Sequence, residues 1–264
     1  MEQPPLPLSG YVLAGGKSSR MGSDKALLQL AGTTLVQRAV QTLAPICERV
    51  SIVGSPQLNS IAPTVPDGFQ ACGPLGGMEA AFRDACHEWL FFLPVDLPFL
   101  PHDMLYQWAR IELQHADAAM RICYFEADRR PQPLVCLLHR SLLPWVQGAF
   151  RRKEYKVGRL FHEVAETLAP GLCARPAQVL RKAVLDDDAH LSVERAGARE
   201  RIPWLPTPHD AALRHLWFSN LNTPEEFAYA ENRMQEVHPK GKLVRTMGAA
   251  TRTHGASNPY HPGT

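Results

Sequence analysis

The sequence has little that would staple a fold from outside or carry it out of water. Its six cysteines, Cys47, Cys72, Cys86, Cys123, Cys136 and Cys173, form no CxxC pair, and no His stands at metal-finger spacing. A chain of 264 residues can build a core without disulfides, so reduced thiols are the expectation. Long apolar runs are missing too: the most apolar, Trp89 to Val95, stops at Asp96 and is too short to cross a bilayer. Met1-Glu2-Gln3-Pro4-Pro5 has neither the basic region nor the apolar stretch of a signal peptide. A soluble cytoplasmic protein with no membrane partner is therefore expected. Charge of one sign is also lacking: 28 Lys+Arg face 26 Asp+Glu, a net of +2, which offers no bulk attraction to nucleic acid. From Glu231 onward there are five Lys/Arg and two Glu, and contacts made by so small an excess would be nonspecific and salt-sensitive. No internal repeat is present.

What the sequence has is an ordinary globular composition, 45% hydrophobic and 20% charged, with one outlier. Its 23 prolines are about 9% of the chain against a usual ~5%, so many short, punctuated loops are expected. Gly10-Tyr11-Val12-Leu13, Val50 to Val53 and Leu90 to Leu93 read as three buried strands. Between and after them lie helices: Leu35, Val36, Ala39, Val40 and Leu43 behind a Thr34 cap; Leu75 to Cys86; and a segment opened by Pro101 with Met104, Leu105 and Trp108. That alternation predicts an α/β fold, a mostly parallel sheet with helices on both faces.

Further along, a strand over Leu134 to Leu138 follows a turn at Asp128 to Pro131, and Leu142 to Phe150 reads as a helix. From about 170 to 215 the pattern dissolves into Pro, Gly and mixed charge: a lid, an acceptor-binding insertion or a poorly ordered loop. Thr223 and Glu226 form a capping box with Pro224 at the first helical position. The domain is expected over 8–232, with a disordered tail over 239–264.

The densest chemical signal is Leu13-Ala14-Gly15-Gly16-Lys17-Ser18-Ser19-Arg20-Met21-Gly22-Ser23-Asp24-Lys25. A glycine-rich loop after the first strand lets backbone N–H groups approach a phosphate or a base. Lys17, Arg20 and Lys25 within nine positions repel one another unless they meet an anion, and a polyphosphate suits them. The P-loop spacing fails, because the required glycine position is Tyr11, and GxGxxG fails because Gly15 and Gly16 are adjacent. The bland alternative is an exposed turn with solvated charges. Asp96, in Pro94-Val95-Asp96-Leu97-Pro98, ends the third strand on the side where ligands bind such sheets. Near phosphates that carboxylate would hold Mg²⁺. Asp67 lies in a loop ahead of Gly73-Pro74-Leu75-Gly76-Gly77, where the plain reading is a Gly-Pro turn.

Taken in order, these segments resemble the molybdenum cofactor guanylyltransferase (MobA-type) family of nucleotidyltransferases. The family hallmark LAGGxSxRMGxDKxLL falls on Leu13 to Leu28, followed by GPLxG at Gly73 to Gly77 and PxDxP at Pro94 to Pro98. Asn220 to Glu226 is similar to its closing NxNTPEE, and Pro133-Leu134-Val135 with Arg140 to Pro144 is similar to its middle segment.

The resemblance implies a Rossmann-like sheet of the nucleotide-diphospho-sugar transferase kind and transfer of GMP from GTP to Mo-molybdopterin, with pyrophosphate released. It implies Leu13, Ala14 and Gly15 at the nucleotide through their backbone, beside Gly16 and Lys17. Lys25 would contact phosphate, with Arg20 beside it in catalysis, Asp67 would bind nucleotide and Asp96 would hold Mg²⁺. Asn220 and Asn222 would lie near the acceptor or the metal, with Gly76 and Gly77 toward the acceptor. Implied partners are molybdenum insertion proteins and acceptor molybdoenzymes. Where that family often has Asn at the end of its second strand, this chain has Val53-Gly54-Ser55, so CTP or another phosphorylated acceptor stays open. A nucleotide-binding regulator without turnover is the competing class.

Overall fold

The structure, a computed structural model, describes residues 3–15, 25–69, 72–195 and 198–237. The first half alternates as the sequence predicts: β1 (Leu6–Leu13), a small hairpin of β2 (Gln29–Leu30) and β3 (Thr33–Thr34), α1 (Leu35–Leu43), β4 (Cys47–Val53), β5 (Thr64–Val65), α2 (Pro74–Asp84), β6 (Trp89–Pro94) and α3 (His102–Gln114). Helix α1 starts at Thr34 because Thr34 Oγ1 accepts the Gln37 N–H while Gln37 Oε1 accepts the Thr34 N–H, satisfying two end groups at once.

The second half holds β7 (Ile122–Ala127), β8 (Arg130–His139), α4 (Leu143–Arg152), α5 (Val157–Gly171), α6 (Pro176–Val179), β9 (Leu180–Leu185), β10 (Leu191–Arg195), β11 (Ala198–Arg201), α7 (Pro208–Ala212) and α8 (Pro224–Val237). Among the described residues the main sheet has nine strands in the order β11-β10-β9-β7-β8-β6-β1-β4-β5. Strands β5, β4, β1 and β6 are parallel to one another, and β9 is parallel to β7. Strand β8 runs antiparallel between β6 and β7. Its direction follows from the two-residue Asp128-Arg129 turn, both residues at positive φ, which can only fold the chain straight back.

Alternation along β6 divides the core. Leu90 and Phe92 face α2, α4 and α5, whereas Phe91 and Leu93 face α1 and α3. Leu216, Trp217, Leu221 and Ala230 join the second of these layers, so the start of α8 is sewn to the front half of the chain.

Two stretches differ from the sequence reading. Helix α5 was not expected, although Val157, Leu160, Phe161, Val164, Ala165 and Ala169 recur at helical period and are all buried. Within 170–215, Leu180–Leu185, Leu191–Arg195 and Ala198–Arg201 extend the sheet as β9, β10 and β11. Charge hid these strands: Arg181 sits on the buried face of β9, 4% exposed, and breaks the apolar alternation. It is tolerated there because its guanidinium reaches the Glu112 and Asp117 carboxylates and donates to the His115 carbonyl. Gly16, Lys17, Arg20 and the 239–264 tail lie outside the described residues.

Candidate active site

The carboxyl ends of β4, β1 and β6 are tied together by backbone bonds just where the strands stop. The Ala14 N–H donates to the Val53 carbonyl (2.9 Å), the Val95 N–H to the Leu13 carbonyl (3.3 Å), and the Gly54 N–H to the Val65 carbonyl (3.1 Å). Leu13-Ala14-Gly15 is thereby held between two neighbouring strand ends, with Leu13 buried and Gly15 exposed. That is the crevice where an open parallel sheet takes its ligands. Gly54 packs closely on Ala14: a Cβ there would lie 3.4 Å from it, at ordinary van der Waals contact.

Three segments far apart in sequence meet at this mouth. Lys25 opens a single 3-10 turn, Asp96 follows β6, and Asn222 precedes α8. Lys25 Nζ lies 3.2 Å from Asp96 Oδ2 and donates to Asn222 Oδ1 at 2.6 Å. The Leu221 N–H donates to the Asp96 carbonyl at 3.3 Å, which draws the C-terminal segment onto the end of β6. The Lys25 and Asp96 side chains are 16% and 25% exposed, so both charges stay in reach of solvent and of an incoming ligand. Asn220 is exposed two residues earlier. Asn222 reaches Lys25 across 197 positions, beyond any local spacing pattern.

Asp67 takes its place on the other side of the crevice. Its Oδ1 accepts the Phe69 N–H at 2.9 Å, fixing a tight local turn. A Cβ on Gly15 would lie 3.7 Å from Asp67 Oδ2, so this carboxylate stands between the loop after β1 and the start of α2. Gly76 and Gly77 are buried in the first turn of α2. A Cβ on Gly76 would come within 2.7 Å of Asp67 Oδ1, and one on Gly77 within 2.7 Å of Val53 Cγ1. Their small size lets α2 pack closely on Asp67 and Val53. Gly73, at φ +62, makes the turn that admits Pro74 to the first helical position.

The donor set at Asp96 fits a hard divalent cation in one form only. Among the described residues, no three His, Cys, Asp or Glu side chains cluster to form a metal cage. Asp96 Oδ1 accepts no hydrogen bond from any of them. Such a site suits an ion that keeps waters and shares phosphate oxygens with a nucleotide, as Mg²⁺ does. A cavity of about 420 Å³ lies elsewhere, beside α5 and β9–β11, but two of its cations are already paired, Lys182 with Glu126 and Arg199 with Glu194.

The sequence profile of the MobA-like NTP transferase domain matches residues 10–168. A molybdenum cofactor guanylyltransferase of Photobacterium profundum is 32% identical over 160 residues, spanning 59% of this chain and 80% of that protein. Another, from Rhodobacter capsulatus, is 29% identical over 240 residues, spanning 88% of this chain and 99% of its own length. In structure, the chain is similar to molybdopterin-guanine dinucleotide biosynthesis protein A from Archaeoglobus fulgidus, with a TM-score of 0.55 and 18% identity, covering 86% of this chain and 99% of that one.

Proposed function

We propose a reaction for a chain that belongs to the MobA-like NTP transferase domain family: transfer of GMP from GTP to Mo-molybdopterin. The terminal phosphate oxygen of the pterin attacks the α-phosphorus of GTP, the α–β anhydride bond breaks, and pyrophosphate leaves. The observation that carries this reading is the meeting of Lys25, Asp96 and Asn222 at the strand ends.

Phosphoryl-group chemistry of this type asks a protein for position and charge rather than a nucleophile. Lys25 holds nucleotide phosphate, and Asp67, fixed against Gly15 and Gly76, orients the nucleotide. The backbone at Leu13, Ala14 and Gly15 reads the base edge, since Gly54 packs on Ala14 and offers no side chain for it. Gly16, Lys17 and Arg20 continue that loop and supply further phosphate contacts. Asn220 and Asn222 face the acceptor side. Asp96 would hold Mg²⁺, which when bound neutralises the charge developing on the departing pyrophosphate.

The test is pyrophosphate release and dinucleotide formation with Mo-molybdopterin and Mg²⁺, run with GTP and with CTP. GTP-dependent product with little from CTP is the expected result. Equal use of CTP overturns the guanylyl assignment, and nucleotide binding without turnover turns the chain into a regulator.

A further inference from the structure

We infer that Glu226 is a positioning residue for this site, acting through Asn222 on Lys25. The inference rests on the reading of Lys25 as a phosphate ligand given above, and concerns residues beyond the 10–168 segment that matches the family profile.

In a capping box the acidic side chain at the third helical position returns to the backbone N–H of the cap residue. Glu226 does this for Thr223, at 2.9 Å, and Thr223 Oγ1 accepts the Glu226 N–H at 3.2 Å. The same Glu226 oxygen, Oε2, also accepts the N–H of Asn222, at 2.6 Å. One carboxylate thus fixes two successive peptide groups ahead of α8. On the other side of Asn222, the Leu221 N–H is bound to the Asp96 carbonyl, and the Leu221 side chain is 1% exposed in the core. With the backbone held before and after it, the Asn222 amide has few directions open, and its oxygen meets Lys25 Nζ at 2.6 Å.

A helix cap alone needs only the Thr223 bonds. The additional bond to Asn222 does nothing more for the helix and instead aims a site side chain. A carboxylate suits this place because it also faces the positive end of α8. Removing it frees Asn222, takes away one of the two tethers that described residues give the Lys25 ammonium, and lets it swing away from the position where phosphate would meet it.

The experiment compares full-length Glu226→Ala, Glu226→Gln, Thr223→Ala and Asn222→Ala chains, with the Glu226→Ala/Asn222→Ala double variant. Glu226→Ala should raise KM for the nucleotide roughly tenfold with kcat changed much less. Glu226→Gln keeps a carbonyl oxygen acceptor and should stay within about twofold of the unaltered chain. Thr223→Ala weakens the cap without touching the bond to Asn222, so it should lower Tm and spare KM. The double variant should be no worse than Asn222→Ala alone, because the two residues act in one line.

A second readout needs no substrate: the rate at which trinitrobenzenesulfonate labels Lys25, followed by peptide mass. Labelling should speed up several-fold in Glu226→Ala and not in Thr223→Ala. Equal KM effects from Thr223→Ala and Glu226→Ala, multiplying effects in the double variant, or unchanged Lys25 labelling would each overturn the inference. Labelling separates this failure from that of the proposed reaction, since it holds whichever nucleotide or acceptor is used.

Discussion

Gly76 and Asp67 share space that no side chain at position 76 could enter: a Cβ there would stand 2.7 Å from Asp67 Oδ1 and 2.8 Å from the Phe69 carbonyl oxygen. Gly76→Ala must therefore push aside backbone as well as a carboxylate. Overpacking of this kind costs about 1–3 kcal/mol. In a chain of this size each 1 kcal/mol lowers Tm by about 2–4 °C. Nucleotide use should fall too, because Asp67 is displaced. Gly68→Ala is the control, since its Cβ meets nothing within 4 Å. Thermal melts with nucleotide titrations check this, and a Gly76→Ala chain as stable and active as the unaltered one contradicts it.

Much of this crevice could be read from the sequence because each part is local. A glycine loop after a strand, a carboxylate after another strand, and a capping box are patterns within a few residues, and β1, β4, β6 and α1 formed where periodicity placed them. What stayed hidden depends on contacts across the chain. The close packing of Gly76 on Asp67 and of Gly77 on Val53 is not written in any local spacing. Strand β9 is masked by Arg181, whose burial makes sense only once α3 supplies Glu112. The Lys25–Asn222 contact joins opposite ends of the chain, and no spacing rule reaches that far.

His139 provides a pH test away from the site. Its Nδ1 accepts the Ser141 N–H at 3.2 Å, a role the protonated ring cannot fill. Burial, helped by Arg121 and Arg140 and opposed by Glu88, holds its pKa below the ordinary imidazole range. In the unfolded chain the ring takes a proton near about 6.5. Below that pH the unfolded state binds more protons than the folded state, so stability present above it is lost as pH falls through the folded value. Tm should therefore drop more between pH 7.5 and pH 5.5 in the unaltered chain than in His139→Asn, which cannot titrate. Parallel Tm curves would show that His139 carries none of the acid sensitivity.

Lys25→Ala should weaken nucleotide use far more than it harms the fold. Its ion pair with Asp96 is partly exposed, and such pairs contribute about 0–1 kcal/mol to stability. A hydrogen bond from the ammonium to phosphate is worth about 1.5–3 kcal/mol. That corresponds to roughly ten- to hundredfold in kcat/KM. Steady-state kinetics with GTP beside a thermal melt separate the two effects. Unchanged kinetics remove Lys25 from the site, and loss of folding assigns it to the scaffold instead.

Asp96→Asn carries the sharpest expectation. The two side chains are nearly isosteric, and an amide oxygen can still accept a hydrogen bond from Lys25 Nζ in place of the present 3.2 Å ion pair. The Leu221 N–H bond to position 96 uses the backbone carbonyl and survives the change. Folding should therefore be nearly unaffected. Metal affinity should not, because a neutral amide is a poor substitute for a carboxylate as a ligand to a hard divalent cation. A bound cation supplies several kcal/mol of charge stabilisation as pyrophosphate departs. Losing even ~3 kcal/mol of that slows turnover more than a hundredfold at about 1.36 kcal/mol per factor of ten. The measurement is GMP transfer at saturating acceptor, with Mg²⁺ titrated for both chains. Asp96→Asn should melt like the unaltered protein, demand far more Mg²⁺ and transfer almost no GMP. Near-normal turnover at the same Mg²⁺ midpoint would take the metal away from Asp96 and leave it only the task of holding Lys25.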